Sequence, residues 1–281
     1  MATLPTFEEL ETSIDSGRPV EYFRFTLNGA TWYYCTADKD QDFGGAHWTA
    51  AAIESPTIQQ TGEYVNDAVT MNVPSWIAPA QLFMTSAPTF PIQVTIGCKH
   101  VDSDDIVIGY IGEILQVNFP FPGRAVITCE SLAATMRREG LRLGWQRSCP
   151  YVLYDPVNCK VDKALWKIDF TTLSIDGFTI DVELATTKPD HYFDNGFIEW
   201  LHPIRGLELL AIVDHTVMTG EANARFTLFG PPGELFEGAL GSVYPACNFT
   251  PTNCQAFGNY DNYGGVPDMP GKSPFDGDPV F

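Results

Sequence analysis

The chain is short of positive charge: 16 Lys and Arg stand against 35 Asp and Glu, a formal net charge of −19 over 281 residues. A phosphate backbone repels such a surface, because nucleic-acid affinity rests on clustered Lys and Arg. Sequence-specific nucleic-acid binding is therefore not expected. The one basic cluster is Arg137, Arg138, Arg142 and Arg147. Its first two members suit a helix C-terminus, whose dipole they would offset. Anionic membranes are disfavoured on the same grounds. No run reaches the ~18–20 apolar residues of a membrane helix, so no membrane insertion is expected. Residues 1–12 lack the basic start and apolar stretch of a secretory signal. The expectation is synthesis and folding in a reducing cytoplasm.

Catalytic signatures are also missing. The five histidines, His47, His100, His191, His202 and His215, form no His-Glu-x-x-His pattern and no compact metal-binding pair. There is no phosphate-binding loop, dinucleotide fingerprint or nucleophile elbow. Asp102, Asp104 and Asp105 beside His100 read as a solvated loop, with a divalent-ion site as the alternative. Cys129 with a distant histidine could form a peptidase pair. It lies instead in an apolar, strand-like run, not at a helix start that would lower its pKa.

What the chain does have is core-forming and turn-forming material. Hydrophobic residues make up 44% and aromatics 13%, with 24 Gly and 21 Pro. Aromatics favour strands, and Gly and Pro favour turns, so the fold is expected to be mainly β with few short helices. Thr6 and Glu9 have capping-box spacing, Leu10 and Ile14 share a face, and Gly17 suits a helix stop. Strands are expected at 20–27 and 30–36 around Asn28-Gly29, and at 92–97, 106–117 and 125–129. A second helix is expected at 131–139. Strands resume at 166–175 and 178–184 around Asp176-Gly177, at 197–201 and 207–215 around Arg205-Gly206, and at 225–229. Evenly spaced short strands point to barrels or sandwiches. The expected division is a β-rich domain at 1–140, a cysteine-bearing segment at 141–165, a second β-rich domain at 166–235, and a loop-rich cysteine-bearing tail at 236–281.

Of seven cysteines, Cys35, Cys98 and Cys129 sit in apolar runs and read as small hydrophobes. Cys149, Cys159, Cys247 and Cys254 differ, lying in turn-rich segments among Pro150, Pro156, Asn158, Pro245, Pro251 and Asn253. Loops of this kind have little core, and thiolate ligands could crosslink them. Cytosolic folding argues against disulfides. Zinc accepts four thiolates but usually takes pairs two to four residues apart. A four-iron cluster accepts four Cys at irregular spacing. The residues alone leave zinc and iron–sulfur both open.

The motifs around these cysteines carry a resemblance. Gly140-Leu141-Arg142, Gln146-Arg147-Ser148-Cys149-Pro150, Val152-Leu153-Tyr154-Asp155-Pro156 and Cys159 form the first block. Asp194-Asn195-Gly196-Phe197-Ile198-Glu199-Trp200 forms the second. The third runs through Tyr244-Pro245-Ala246-Cys247, Cys254, Phe257-Gly258-Asn259, Asn262-Tyr263-Gly264-Gly265, Pro267 and Pro270-Gly271. Looser matches lie at Phe25-Thr26, Trp32-Tyr33, Ala37-Asp38, Tyr64 and Val73-Pro74. Together they resemble the baseplate or tail-tip hub proteins of siphophages and gene transfer agents, similar in role to the lambda tail-tip protein with an iron–sulfur cluster. The resemblance implies β-barrel hub domains in a homotrimeric ring within the virion, assembled in the host cytoplasm. It implies partners in the distal tail protein ring, the central spike or receptor-binding protein (a tail fibre) and the tape measure protein. It also implies that Cys149, Cys159, Cys247 and Cys254 ligate a 4Fe-4S cluster, with zinc as the alternative. An acidic ring would let DNA pass without sticking. A structural rather than enzymatic role follows; the alternative is a metal-dependent or cysteine-dependent cell-wall-degrading tail enzyme. Two departures adjoin the cysteines: Lys160 stands where many relatives have Gly, and Asn248 where an acidic residue is common.

Overall fold

A computed structural model of the chain describes residues 6–13, 17–54, 57–58, 68–101, 103, 105–132, 143–218 and 223–269. The chain divides into two compact units, Met1–Arg138 with His202–Glu208, and Glu139–Leu201 with Leu209–Phe281. The fold is mainly β.

The first unit opens with α1 (Phe7–Glu11), capped as its sequence dictates. The Thr6 hydroxyl accepts the Glu9 amide, and the Glu9 carboxylate accepts the Thr6 amide at 2.9 Å. The helix stops at Glu11, well before Gly17. Eight strands follow: β1 (Pro19–Leu27), β2 (Ala30–Cys35), β3 (Gln41–Phe43), β4 (Ala46–Ala50), β5 (Val69–Pro74), β6 (Gln93–His100), β7 (Val107–Phe121) and β8 (Arg124–Ser131). They form one sheet in the order β3-β4-β2-β1-β6-β7-β8-β5, with β2 and β4 parallel. Asn28 and Gly29 take φ of 45° and 90°, the left-handed pair that matches strand twist in a two-residue hairpin.

Alternation along β1 serves two cores. Phe23, Phe25 and Leu27 join the main cluster, while Tyr22 packs with Cys35 and Trp48 on the other face. Strands β3, β4 and β5 and the helix α2 (Ala78–Gln81) go beyond the sequence expectation. β3 is only three residues long, too short for a period-2 pattern to register. Within this unit the turn His202–Glu208 carries a fully buried Arg205. Its guanidinium donates to Ser86 Oγ at 3.1 Å and to the Leu82 carbonyl, and lies 4.0 Å from the buried Glu208 carboxylate. Most of the helix expected at 131–139, with Arg137, Arg138 and Arg142, lies outside the described residues, as do Ile14, Tyr64, Asp102, Asp104 and Pro270-Gly271.

The second unit is built on β9 (Ile168–Asp176), β10 (Thr179–Leu184), β11 (Phe197–His202), β12 (Gly206–Val217), β13 (Asn223–Leu228) and β14 (Leu240–Tyr244), with the β11–β12 turn, His202–Glu208, counted in the first. They close a barrel in the order β10-β13-β12-β11-β14-β9. Its interior is filled by Phe170, Ile180, Val182, Ile198, Phe226 and Val243, among others. The hairpin turns fall at Asp176-Gly177 and Arg205-Gly206, where Gly177 and Gly206 take φ of 60° and 80°. Strand β14 was not anticipated. Its Gly241 weakens the strand signal, yet the glycine is required: a Cβ there would lie 2.4 Å from the Phe170 ring.

One pairing positions everything that follows. β14 runs antiparallel to β9, with Val243 opposite Ile168. The chain entering β9 and the chain leaving β14 therefore emerge side by side at the same end of the barrel.

Candidate metal centre

The segment entering β9 is built by local polar chemistry. The Asp155 carboxylate accepts the amides of Val157 at 3.3 Å and Asn158 at 3.0 Å, and the Asn158 side-chain amide at 2.6 Å. These bonds, the Asn158 side chain first, hold the carboxyl below its ordinary range. Tyr154 and Lys160 flank this turn with φ of 67° and 61°. A left-handed backbone favours glycine, which accounts for the glycine that the resemblance places at the Lys160 position. The Tyr154 hydroxyl donates to the Pro245 carbonyl at 3.1 Å, and its ring meets Phe197, Tyr244 and Phe257 edge-on. Lys163 pairs with the buried Glu199 of β11, and its ammonium lies 4.6 Å over the Tyr244 ring. The segment is thus fastened to the barrel before Cys159 is placed.

The segment leaving β14 turns back on itself. Asn248 Oδ1 accepts the Thr250 amide at 3.1 Å and the Thr250 hydroxyl at 2.6 Å. A carboxylate would accept both equally, so the replacement of an acidic residue by Asn248 keeps the turn. Thr250 then caps α3 (Pro251–Ala256), which carries Cys254. Main-chain bonds tie the two segments together: Cys149 N donates to Phe249 O at 2.9 Å, and Val266 N to Gln146 O at 2.8 Å. The Tyr263 hydroxyl donates to the carbonyls of Arg147 and Phe249, and Arg147 Nε to that of Met269 at 2.8 Å. Arg147 therefore pins the C-terminal segment. Gly264 and Gly265 permit this closeness, since a Cβ would fall 2.3 Å from the Tyr151 ring and 2.5 Å from the Arg147 carbonyl.

The result is a convergence of thiols. Cys149, Cys159, Cys247 and Cys254 all line one largely enclosed cavity, whose wall includes the apolar Leu153, Phe249 and Phe257 and the polar Thr250, Asn259 and Asn262. All four are free cysteines. Among the described residues, no Lys, Arg or His lines the cavity. Burial pushes the thiols of Cys247 and Cys254 up, and the neighbouring cysteines add to it, while the Phe249 amide, donating to Cys247 Sγ at 3.3 Å, opposes it at Cys247. Thiols so placed are poor nucleophiles, because activation needs an adjacent positive charge or helix N-terminus. A bound cation is what could hold four thiolates at such a point.

The other cysteines stand apart. Cys35 and Cys129 are fully buried in β2 and β8, and Cys98 is half-buried in β6. Burial pushes the Cys129 thiol up to about 12, the reverse of an activated peptidase cysteine. Among the described residues, a compact grouping of ligand-type side chains occurs at His191, Asp194 and Asp214, with donor atoms within 4.8 Å of one another. Sequence spacing did not reveal it, because β12 brings Asp214 to the turn before β11. These groups already serve one another, with His191 Nδ1 3.0 Å from Asp194 and 3.3 Å from Asp214.

Residues 191–273, which include Cys247 and Cys254, match a family described as "Phage conserved hypothetical protein BR0599". An uncharacterized protein of Xylella fastidiosa (strain 9a5c) is 30% identical over 163 residues. That match covers 53% of this chain and 33% of the relative, so it spans about a third of the relative's length. A chain from the virion of a native gene transfer agent particle has a similar fold, with a TM-score of 0.76 and 17% identity. This likeness covers 97% of this chain and 98% of the other.

Proposed function

We propose that the protein is a structural component of a phage-type virion, a tail-tip hub, and that Cys149, Cys159, Cys247 and Cys254 hold a 4Fe-4S cluster that staples its second unit. The observation that carries the cluster is the convergence of four free thiols, from the segments entering β9 and leaving β14 at one end of the barrel, on one cavity with no basic lining residue among the described residues. The virion role draws support from the phage-family match over residues 191–273 and from a fold shared along nearly the whole chain with a gene transfer agent virion protein.

The donor set fits the group. Tetrahedral zinc, at Zn–S of about 2.3 Å, draws four sulfurs to about 3.8 Å from one another. A cage of iron and sulfide also takes four cysteines and tolerates the irregular spacing of Cys149, Cys159, Cys247 and Cys254 along the chain. When bound, the cluster supplies metal–thiolate bonds that crosslink the segments before β9 and after β14. Phe249 N–H and the aromatic wall formed with Tyr151 and Phe257 orient the sulfurs and exclude water. The role is structural, and no substrate is turned over.

The partners in this reading are two further copies in a homotrimeric ring, the distal tail protein ring, the central spike or receptor-binding protein, and the tape measure protein. Anaerobic purification with iron, sulfide and zinc analysis tests the centre. The expected result is about four iron and four sulfide per chain with charge-transfer absorption. One zinc per chain without sulfide overturns the cluster assignment, and neither metal overturns the centre altogether.

A further inference from the structure

Asn259 is a buried polar residue at the cavity, in the loop that follows α3. Its side-chain amide donates to the Cys159 carbonyl at 2.5 Å and to Cys159 Sγ at 3.8 Å, across 100 positions of sequence. Its own main-chain carbonyl accepts the Cys254 thiol at 3.2 Å, and its amide N–H reaches the Cys254 carbonyl at 3.0 Å. Asn262 Nδ2 donates to Asn259 Oδ1 at 2.7 Å and so fixes which end of the amide faces Cys159. One residue therefore bridges a thiol from each cysteine-bearing segment.

We propose that Asn259 is a positioning residue of the metal centre, holding the Cys159 sulfur in place and donating to it once it becomes a ligand. The inference rests on the cluster reading above. The same amide nitrogen reaches both the main chain and the sulfur of Cys159, so the side chain holds the ligand's rotamer and stabilises negative charge on it. Hydrogen bonds to ligand sulfur stabilise the more reduced, more negative cluster and so raise its reduction potential. Removing this donor lowers the potential without removing a ligand. The Phe249 amide on Cys247 is a second donor of the same kind, but it is main chain and survives side-chain substitution.

The test uses the full chain, purified anaerobically as wild type, Asn259→Asp, Asn259→Leu and Asn158→Ala. Iron and sulfide content, the midpoint potential and the rate of iron loss to a chelator are read for each. Asn259→Leu keeps the size and removes the donors without adding charge, Asn259→Asp removes them but adds a carboxylate that lowers the potential by its own charge, and Asn158→Ala loosens the loop that carries Cys159 from its exposed side. The expected result is a loaded Asn259→Leu with a midpoint shifted to more negative potential, and faster iron loss in both Asn259 variants. Asn158→Ala should stay at the wild-type potential. Should Asn259→Leu fail to load, faster iron loss from Asn259→Asp than from Asn158→Ala decides. A loaded Asn259→Leu at the wild-type potential overturns the proposal, and so does an equal shift in Asn158→Ala. A wild type without iron and sulfide overturns the cluster reading itself, which the variants cannot do.

Discussion

At the scale of single residues, His215 is the most exposed to solution conditions although its side chain is fully buried. Among the described residues neither ring nitrogen has a hydrogen-bond partner, and the ring packs between Phe193 and Phe226 at 5.1 and 5.3 Å. Burial lowers its pKa, against the raising effect of Asp194, Asp190 and Asp214. The neutral ring is the folded form. The unfolded chain takes up a proton near the ordinary 6.5, the folded one only at lower pH. This contribution is complete above about pH 6.5 and is lost as pH falls beneath it. Thermal melts between about pH 7.5 and 5 should show a smaller acid loss in His215→Met than in wild type; parallel curves would refute it. Arg205 is a fully buried charge, and Arg205→Ala leaves the Leu82 carbonyl without this donor and the buried Glu208 without this ion-pair partner, with Thr89 still donating to it. A loss of about 3–5 kcal/mol is expected in denaturant unfolding. Lys160 takes a left-handed backbone at a cost of roughly 1–2 kcal/mol. Lys160→Gly should stabilise by about 1 kcal/mol after glycine's own entropic cost, measurable as a rise in melting midpoint.

At the scale of elements, the cysteine segments depend on the β9–β14 pairing and on two glycines. Gly264→Ala would drive a methyl group into the Tyr151 ring. Overpacking of this kind costs about 1–3 kcal/mol, and it should loosen the bonds from Tyr263 to Arg147 and Phe249. Cys254→Ser should release the stretch from Phe257 onward, because in the proposed centre the metal is its covalent anchor. Limited proteolysis reads this directly: faster cleavage after residue 257 is expected, and an unchanged pattern would show that polar contacts alone hold the tail. Three of the elements that sequence patterning missed share a cause. β3 is short, β14 carries a glycine demanded by Phe170, and α3 is a single capped turn and a half. Their existence depends on partners distant in sequence, where local periodicity carries no signal.

For the whole molecule, the acidic balance of −19 is a property of composition and bears on assembly. In the proposed ring, a lumen carrying that charge would let DNA pass without sticking. A trimer structure with a basic or apolar lumen would overturn this, and light scattering that gives a monomer would overturn the ring. Chelation under mildly denaturing conditions should destabilise the second unit first, since the four thiols belong to it.

By itself the sequence determined the β-rich class, the hairpins at Asn28-Gly29, Asp176-Gly177 and Arg205-Gly206, and the capped start of α1. Each follows from contacts between near neighbours: φ preferences of Asn and Gly, side-chain caps and strand alternation. It also marked the four cysteines as unlike the other three, because turn-rich surroundings separate them from the apolar runs around Cys35, Cys98 and Cys129. That the four share a cavity was decided only by tertiary structure. Closing the barrel through β9 and β14 is a long-range pairing, and it alone brings Cys149 and Cys159 beside Cys247 and Cys254. The same closure decided the place of Asn259 on Cys159, and the run of β12 along the turn before β11 decided that of Asp214 beside His191; no spacing along the chain records either.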